Sequence, residues 1–246
     1  MKQNTSWGSV AEWYAKHLED KDSYHSQVVL PNILRVLDIQ KGQHVLDLAC
    51  GTGFFAEAFY AAGAQVTGVD IGKELISLAK EHASKDIAFY VSHAHELKFI
   101  EDKSIDTIAL ILAIQNIKEV KEIFIECKRV LKQDGRLIVV MNHPAFRIPG
   151  ASHWEWSGDK EYRRIDLYLS EKSSEIVMHP GSAQSEVTVS FHRPLQYYVK
   201  LARAAGFSIT RLEEWISHKS SEKGPRQKEE DRLRKEIPLF MMIELA

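Results

Sequence analysis

The chain has 246 residues, 44% hydrophobic and 27% charged, which is ordinary globular usage with ample material for a core. Lys and Arg total 32 against 34 Asp and Glu, a net charge of -2, so there is no electrostatic footprint for nucleic acid or for an anionic membrane surface. The 2 cysteines, Cys50 and Cys127, have no CxxC spacing, which predicts free thiols and a cytoplasmic setting. Residues 1–8 carry no apolar run of the kind a signal peptide needs, and no stretch reaches the roughly 18 apolar residues of a membrane span.

In chain order, residues 10–18 and 26–37 read as helices, the core of an N-terminal helical cap over residues 1–40. His44–Leu48 is a short apolar run with an acid near its end, 54–62 a helix rich in Ala and Phe, and Gln65–Asp70 a second strand closing on an acid. Leu75, Ile76, Leu78 and Ala79 then mark a helical face. Residues 87–91, 105–112 and 136–141 are further strands, continuously apolar rather than alternating, as burial on both faces requires. Residues 120–131 have helical apolar spacing, and Asp134-Gly135 is the expected stop. Residues 144–193 read as irregular, with aromatics scattered among polar residues. Regular structure resumes with a helix at 195–205 stopped by Gly206 and a strand at 207–215. A solvated loop or exposed helix is expected at 219–236, and a last strand at 239–245.

Strand–helix alternation implies right-handed crossovers and an α/β fold: a doubly wound, mostly parallel sheet with helices on both faces, in one domain over 1–246. Ligands bind beyond the carboxyl ends of such strands, so Asp47 and Asp70 point at the crevice. Between the first strand and its helix lie Gly51 and Gly53, in V-L-D-L-A-C-G-T-G-F-F-A. G-T-G-F-F-A also matches the dinucleotide pattern G-x-G-x-x-A, and Asp70 stands at the spacing of a ribose contact. Charge separates the two nucleotides. Two unit charges roughly 4 Å apart near a protein surface interact by about 4 kcal/mol. Beside Asp47 that interaction repels a pyrophosphate and attracts a cation.

The V-L-D-L-A-C-G-T-G loop, V-T-G-V-D-I, S-I-D-T-I-A-L-I-L, R-V-L-K-Q-D-G-R-L-I-V and the A-G-F turn at Ala205 resemble, in that order, the class I methyltransferases that use S-adenosyl-L-methionine. The resemblance covers most of the chain. It implies a class I methyltransferase-like fold with residues 144–193 as an irregular lid, backbone contacts to the cofactor from Ala49, Gly51 and Gly53, and Asp70, with Ile71 beside it, at the ribose. It also implies Leu112 at the end of the fourth strand. Where the family often has Asp-Ala beside the adenine, this chain has Ser92-His93-Ala94-His95, and a neutral imidazole at His93, with Ala94, is the expected substitute.

Methyl transfer needs alignment, and a base only where the nucleophile carries a proton. His143, just past the fifth strand, is the base candidate, with a turn-shaping role before Pro144 as its alternative; His192 is the second candidate. Trp154, Trp156 and Tyr162 are candidates to enclose an apolar acceptor, with Arg163 and Arg164 for an acidic group, the alternative being that the aromatics pack the lid onto the sheet. Tyr14 and Tyr24 are placed over the sulfonium. No HExxH-like spacing exists among the 11 histidines, so no metal is expected. The expected activity is methyl transfer to an O, N or C nucleophile of a small molecule by a monomer or homodimer. A nicotinamide-dependent oxidoreductase and a protein that binds the cofactor without transfer are the competing readings.

Overall fold

A computed structural model of the protein describes residues 7–18, 20–177 and 187–246; residues 1–6 of the expected cap and 178–186 of the expected lid lie outside the described residues. The first helix, α1 (Ala11–Leu18), is followed by a wide helical turn, His25–Val29, that runs into α2 (Leu30–Leu37). Strands and helices then alternate through β1 (His44–Leu48), α3 (Phe54–Ala61), β2 (Gln65–Asp70), α4 (Lys73–His82), β3 (Ala88–Val91), β4 (Ile105–Ile111), α5 (Val120–Val130) and β5 (Leu131–Asn142). After these come β6 (Ser152–Ser157), β7 (Lys160–Ile165), β8 (Lys172–Val177), β9 (Val187–His192), α6 (Leu195–Ala204), β10 (Ile209–Trp215), α7 (Gln227–Glu236) and β11 (Phe240–Leu245).

A 7-stranded sheet runs β10-β11-β5-β4-β1-β2-β3. The pairs from β5 to β3 are parallel, and β11 is antiparallel to both its neighbours. Chain order moves outward from β1 to β3 and then returns to β4 on the other side of β1, so the switch point of the sheet lies between β1 and β4. The expected two-sided burial fails for β3, which at the sheet edge exposes Tyr90 and Val91, but in the sheet interior the continuous apolar runs have a direct cause. Along β5, Leu137, Val139 and Met141 enter a core with α5 and α6, while Ile138 and Val140 enter a second core with α2, α3 and α4. No helix among the described residues is long and apolar enough to cross a membrane.

Two local expectations are corrected, and of the two forms expected at 219–236 the helix is the one found. Helix α5 stops at Val130, and Leu131 turns directly into extended backbone (φ -70°, ψ 137°), so Asp134-Gly135 is not the stop. Those residues lie in an irregularity of β5, where Ile105 pairs with Leu131 and Thr107 with Arg136. Residues 144–193 are not irregular throughout: β6 pairs with β7 and β8 with β9 as two antiparallel ribbons. A two-stranded ribbon has no fully buried face, so K-S-S-E-I-V shows no apolar alternation, although Gly158 (φ +63°) makes the tight turn between Ser157 and Lys160. Within 219–236 the helix is α7, whose Leu233 is buried, so this stretch is only partly solvated.

The Phe89 ring occupies a slot between two glycines. A Cβ on Gly68 would stand 2.5 Å from it and a Cβ on Gly53 2.9 Å from it. Gly68→Ala is therefore expected to destabilise the fold by about 1–3 kcal/mol through overpacking, read as a lower urea midpoint at unchanged slope. An unshifted midpoint would show that the ring moves aside freely.

Candidate functional site

The ends of β1 and β2 meet through Asp70. Its Oδ2 accepts the Gly51 N–H at 2.9 Å and its Oδ1 the Gly72 N–H at 2.7 Å. Gly51 and Gly53 hold left-handed backbone (φ +55° and +80°), and a Cβ on Gly51 would press on the Tyr14 ring at 3.3 Å. Ala49 and Leu112 are also left-handed (φ 60° and 54°) without being glycine. Each such residue stores of order 1–2 kcal/mol of strain, and these two end the strands that flank the switch point.

Asp47 is 1% exposed and Asp70 8%, and neither has a basic partner among the described residues. Burial first, and then the neighbouring Asp70, push the Asp47 carboxyl up to about 8, against a lowering hydrogen bond from the Ala56 backbone. Its Oδ2 has no hydrogen-bond partner. Burial likewise raises Asp70, opposed by the Gly72 and Gly51 donors. The Tyr14 phenol and Cys50 thiol are raised by burial and by both carboxylates, which keeps Cys50 a thiol and removes it as a nucleophile.

Beyond these strand ends opens a cavity of about 1380 Å³. That exceeds the roughly 300–1,000 Å³ of an ordinary small-molecule site and leaves room for two ligands. Ala49, Gly51, Asp70, Ile71, His93, Ala94 and Leu112 line it; Asp47 and Gly53 do not, and Asp47 acts on it electrostatically from behind the wall. Tyr14 and Tyr24 line it together with Trp7 and His25.

Neither histidine singled out as a base lines the cavity. His143 is 5% exposed, its Nδ1 accepts the Ala145 N–H at 3.2 Å, and its Nε2 carries the ring proton to Glu214 Oε1 at 2.7 Å. Burial lowers its pKa, with Glu214 partly opposing. Both ring nitrogens are engaged in shaping the turn. His192 is also buried, with Nε2 donating to the Tyr168 carbonyl at 2.8 Å.

The expected acceptor residues also lie off the cavity wall. Trp154 lies beneath Arg163 (4.9 Å) and Trp156 beneath Arg226 (4.6 Å), while Tyr162 is exposed. Arg163 donates to the Phe146 carbonyl and to Ser152 Oγ, and Arg164 to Glu155. The two tryptophans and the two arginines are engaged in contacts away from the cavity, and Tyr162 stays exposed. The cavity is instead reached by Ile176, Ser190 and Phe191 of β8 and β9, Gln115 and Asn116 after β4, Asn142 at the tip of β5, and Arg147. Gln115 donates to the Leu112 carbonyl at 2.6 Å and keeps a buried Oε1 without a partner. Asn142 was within reach of sequence reasoning, one residue before the histidine that drew attention; the others depend on loop paths.

The family model described as a methyltransferase domain matches residues 46–139. The chain is 31% identical over 113 residues to a demethylmenaquinone methyltransferase of Tropheryma whipplei (45% of this chain, 46% of that one). It is 36% identical over 100 residues to one from Thermotoga maritima (40% of this chain, 43% of that one). These matches span less than half the length of either relative. Among solved structures, an S-adenosylmethionine-dependent methyltransferase from Mesorhizobium loti superposes with a TM-score of 0.69 at 21% identity, over 87% of this chain and 95% of that one. The chain thus resembles a methyltransferase domain over residues 46–139 and has the class I methyltransferase fold.

A carboxyl raised on folding destabilises the protein progressively as pH climbs from its unfolded value of about 4 to its folded one. Asp47→Asn keeps the shape and removes the ionisation. In the ligand-free protein it is expected to be more stable than the parent by about 2 kcal/mol or more at pH 8, the advantage shrinking toward pH 4. Equal urea midpoints at pH 8 would show that Asp47 is not held against ionisation.

Proposed function

We propose that this chain is an S-adenosylmethionine-dependent methyltransferase that acts on a small molecule. The observation that carries the reading is the pair of buried acids, Asp47 and Asp70, behind and beside a left-handed glycine turn that faces a large cavity, with no basic partner among the described residues. A ligand bringing positive charge relieves that imbalance; a pyrophosphate aggravates it, which counts against the nicotinamide reading. The orphaned Asp47 Oδ2 behind the turn fits a cationic nucleoside in the same sense.

In this reading Asp70 and Ile71 hold the ribose, His93 and Ala94 flank the adenine, and Ala49, Gly51 and Leu112 supply main-chain wall. Bound S-adenosylmethionine supplies a methyl group activated by a sulfonium. The chain aligns the acceptor with it and excludes water, with Trp7, Tyr14 and Tyr24 on the N-terminal side and the β8–β9 ribbon opposite as a lid. His143 orders a turn rather than taking a proton. Room for a second ligand supports a small-molecule acceptor, the class to which the relatives' names belong. We read residues 1–246 as one domain, acting in the cytoplasm as a monomer or homodimer, with no nucleic-acid partner.

Calorimetry with S-adenosylhomocysteine tests the binding. Asp70→Ala is expected to weaken it at least tenfold, because the ribose hydroxyls lose their acceptor; unchanged affinity would remove Asp70 from the site. Near pH 7 the parent is expected to release a fraction of a proton on binding, as the ligand's ammonium draws Asp47 into its ionised form, and Asp47→Asn to release none. Titrations in buffers of different ionisation enthalpy measure this, and equal proton release in both proteins would break the link. Label from methyl-labelled S-adenosylmethionine passing to a metabolite extract separates transfer from binding alone.

A further inference from the structure

The cavity has a second electrostatic end. Arg147 follows β5 and lines the cavity with Asn142 and Phe240. Its guanidinium lies 5.8 Å over the Phe240 ring, and it has no hydrogen bond or ion pair among the described residues. Enough protein surrounds it that burial lowers it from the ordinary arginine value, with Tyr24 opposing, yet the open cavity leaves the residue accessible. Arg163 is a second cation nearby: Arg147 depresses it further, after burial. Arg163 spends its donors on the Phe146 carbonyl and Ser152 Oγ, which fixes the loop carrying Arg147. Arg147 thus lies within electrostatic reach of Arg163, and neither guanidinium has a salt bridge among the described residues, an arrangement that an anion stabilises.

Distance separates this end from the acids. Three strand spacings of about 4.8 Å lie between β2 and β5, so the loop that carries Arg147 leaves β5 roughly 14 Å across the sheet from Asp70. Lys118 and Glu119 also line the cavity, adjacent and opposite in charge, and leave no net bias.

We propose that the methyl acceptor is a small molecule with a carboxylate and an apolar body, held through Arg147 at the β5–β11 end of the cavity. This rests on the methyltransferase reading and names its substrate class. A carboxylate fits better than a phosphate, because one accessible planar fork pairs with it bidentately and leaves no second charge uncompensated. Ile176, Phe191 and Phe240 supply the apolar surroundings.

Benzoate and neutral benzamide, titrated into the full chain saturated with S-adenosylhomocysteine, test this. Benzoate is expected to bind the parent protein and to bind Arg147→Gln at least tenfold more weakly. Arg147→Lys should keep part of the affinity, and benzamide should bind all three proteins weakly. S-adenosylhomocysteine affinity is expected to stay unchanged in both variants, which also shows that they fold. Equal benzoate affinity in the parent and Arg147→Gln, equal binding of benzoate and benzamide, or no benzoate binding to the parent at millimolar concentration would overturn the proposal. So would a parallel loss of S-adenosylhomocysteine affinity in Arg147→Gln, since Arg147 would then serve the cofactor's own carboxylate. A parent protein that fails to bind S-adenosylhomocysteine sinks the methyltransferase reading itself, a result separate from any benzoate outcome.

Discussion

Asp70 stands at the tip of β2 with one carboxylate oxygen on the Gly51 N–H and the other on the Gly72 N–H. A carboxylate so deeply buried persists only when its lone pairs are met, and here the donors come from the two turns on either side of it. Each turn is therefore held relative to the other through one side chain. Gly51 must present its N–H toward β2, which demands its left-handed backbone; that path brings the Tyr14 ring close above it. Displacing Asp70 would release both turns and the wall they form, so the shape of the cavity follows from this one acceptor.

The acids and Arg147 divide the cavity into regions of opposite electrostatic preference. A site of this kind orients its ligands before any specific contact forms, because a ligand reversed end for end meets like charge at both ends. In the proposed methyl transfer, orientation is the principal contribution a protein makes, and neither His143 nor His192 lines the cavity wall. The strain at Ala49 and Leu112 lies at the same place: backbone held in a rare conformation sits where two strands end at the cavity.

Legibility in the sequence followed the range of the interactions. Strands buried on both faces announce themselves as largely apolar runs, so β4 and the carboxyl half of β5 could be read directly, while β1 and β2 were read from short stretches with an acid at or near the end. Gly51 and Asp70 were legible because their roles depend on a turn and its neighbouring strand. For His143 the sequence left base and turn-shaping roles both open, because its partner, Glu214, lies on β10, 71 residues away, and no local pattern displays that pair. Asn142 precedes it by a single position, which is enough to send one side chain to the cavity and the next away from it. β6, β7 and β8 are largely exposed and so lack the apolar alternation that betrays a strand, whereas V-T-V-S-F-H of β9, largely buried, does alternate and could have been read. Arg147 was invisible for another reason: its place depends on the path of a loop that Arg163 ties down from a different element.

The position of β11 between β5 and β10 governs the order in which the sheet is completed. β10 precedes β11 in the chain but pairs with no other strand of the sheet. During vectorial synthesis it must wait, with one ladder of backbone groups unmatched, until the later strand arrives and slots in antiparallel to both. The five parallel strands that carry the glycine turn are under no such delay. The half of the molecule that carries the Gly51 turn and Asp70 is free to assemble early, and the flank beyond β5 closes last.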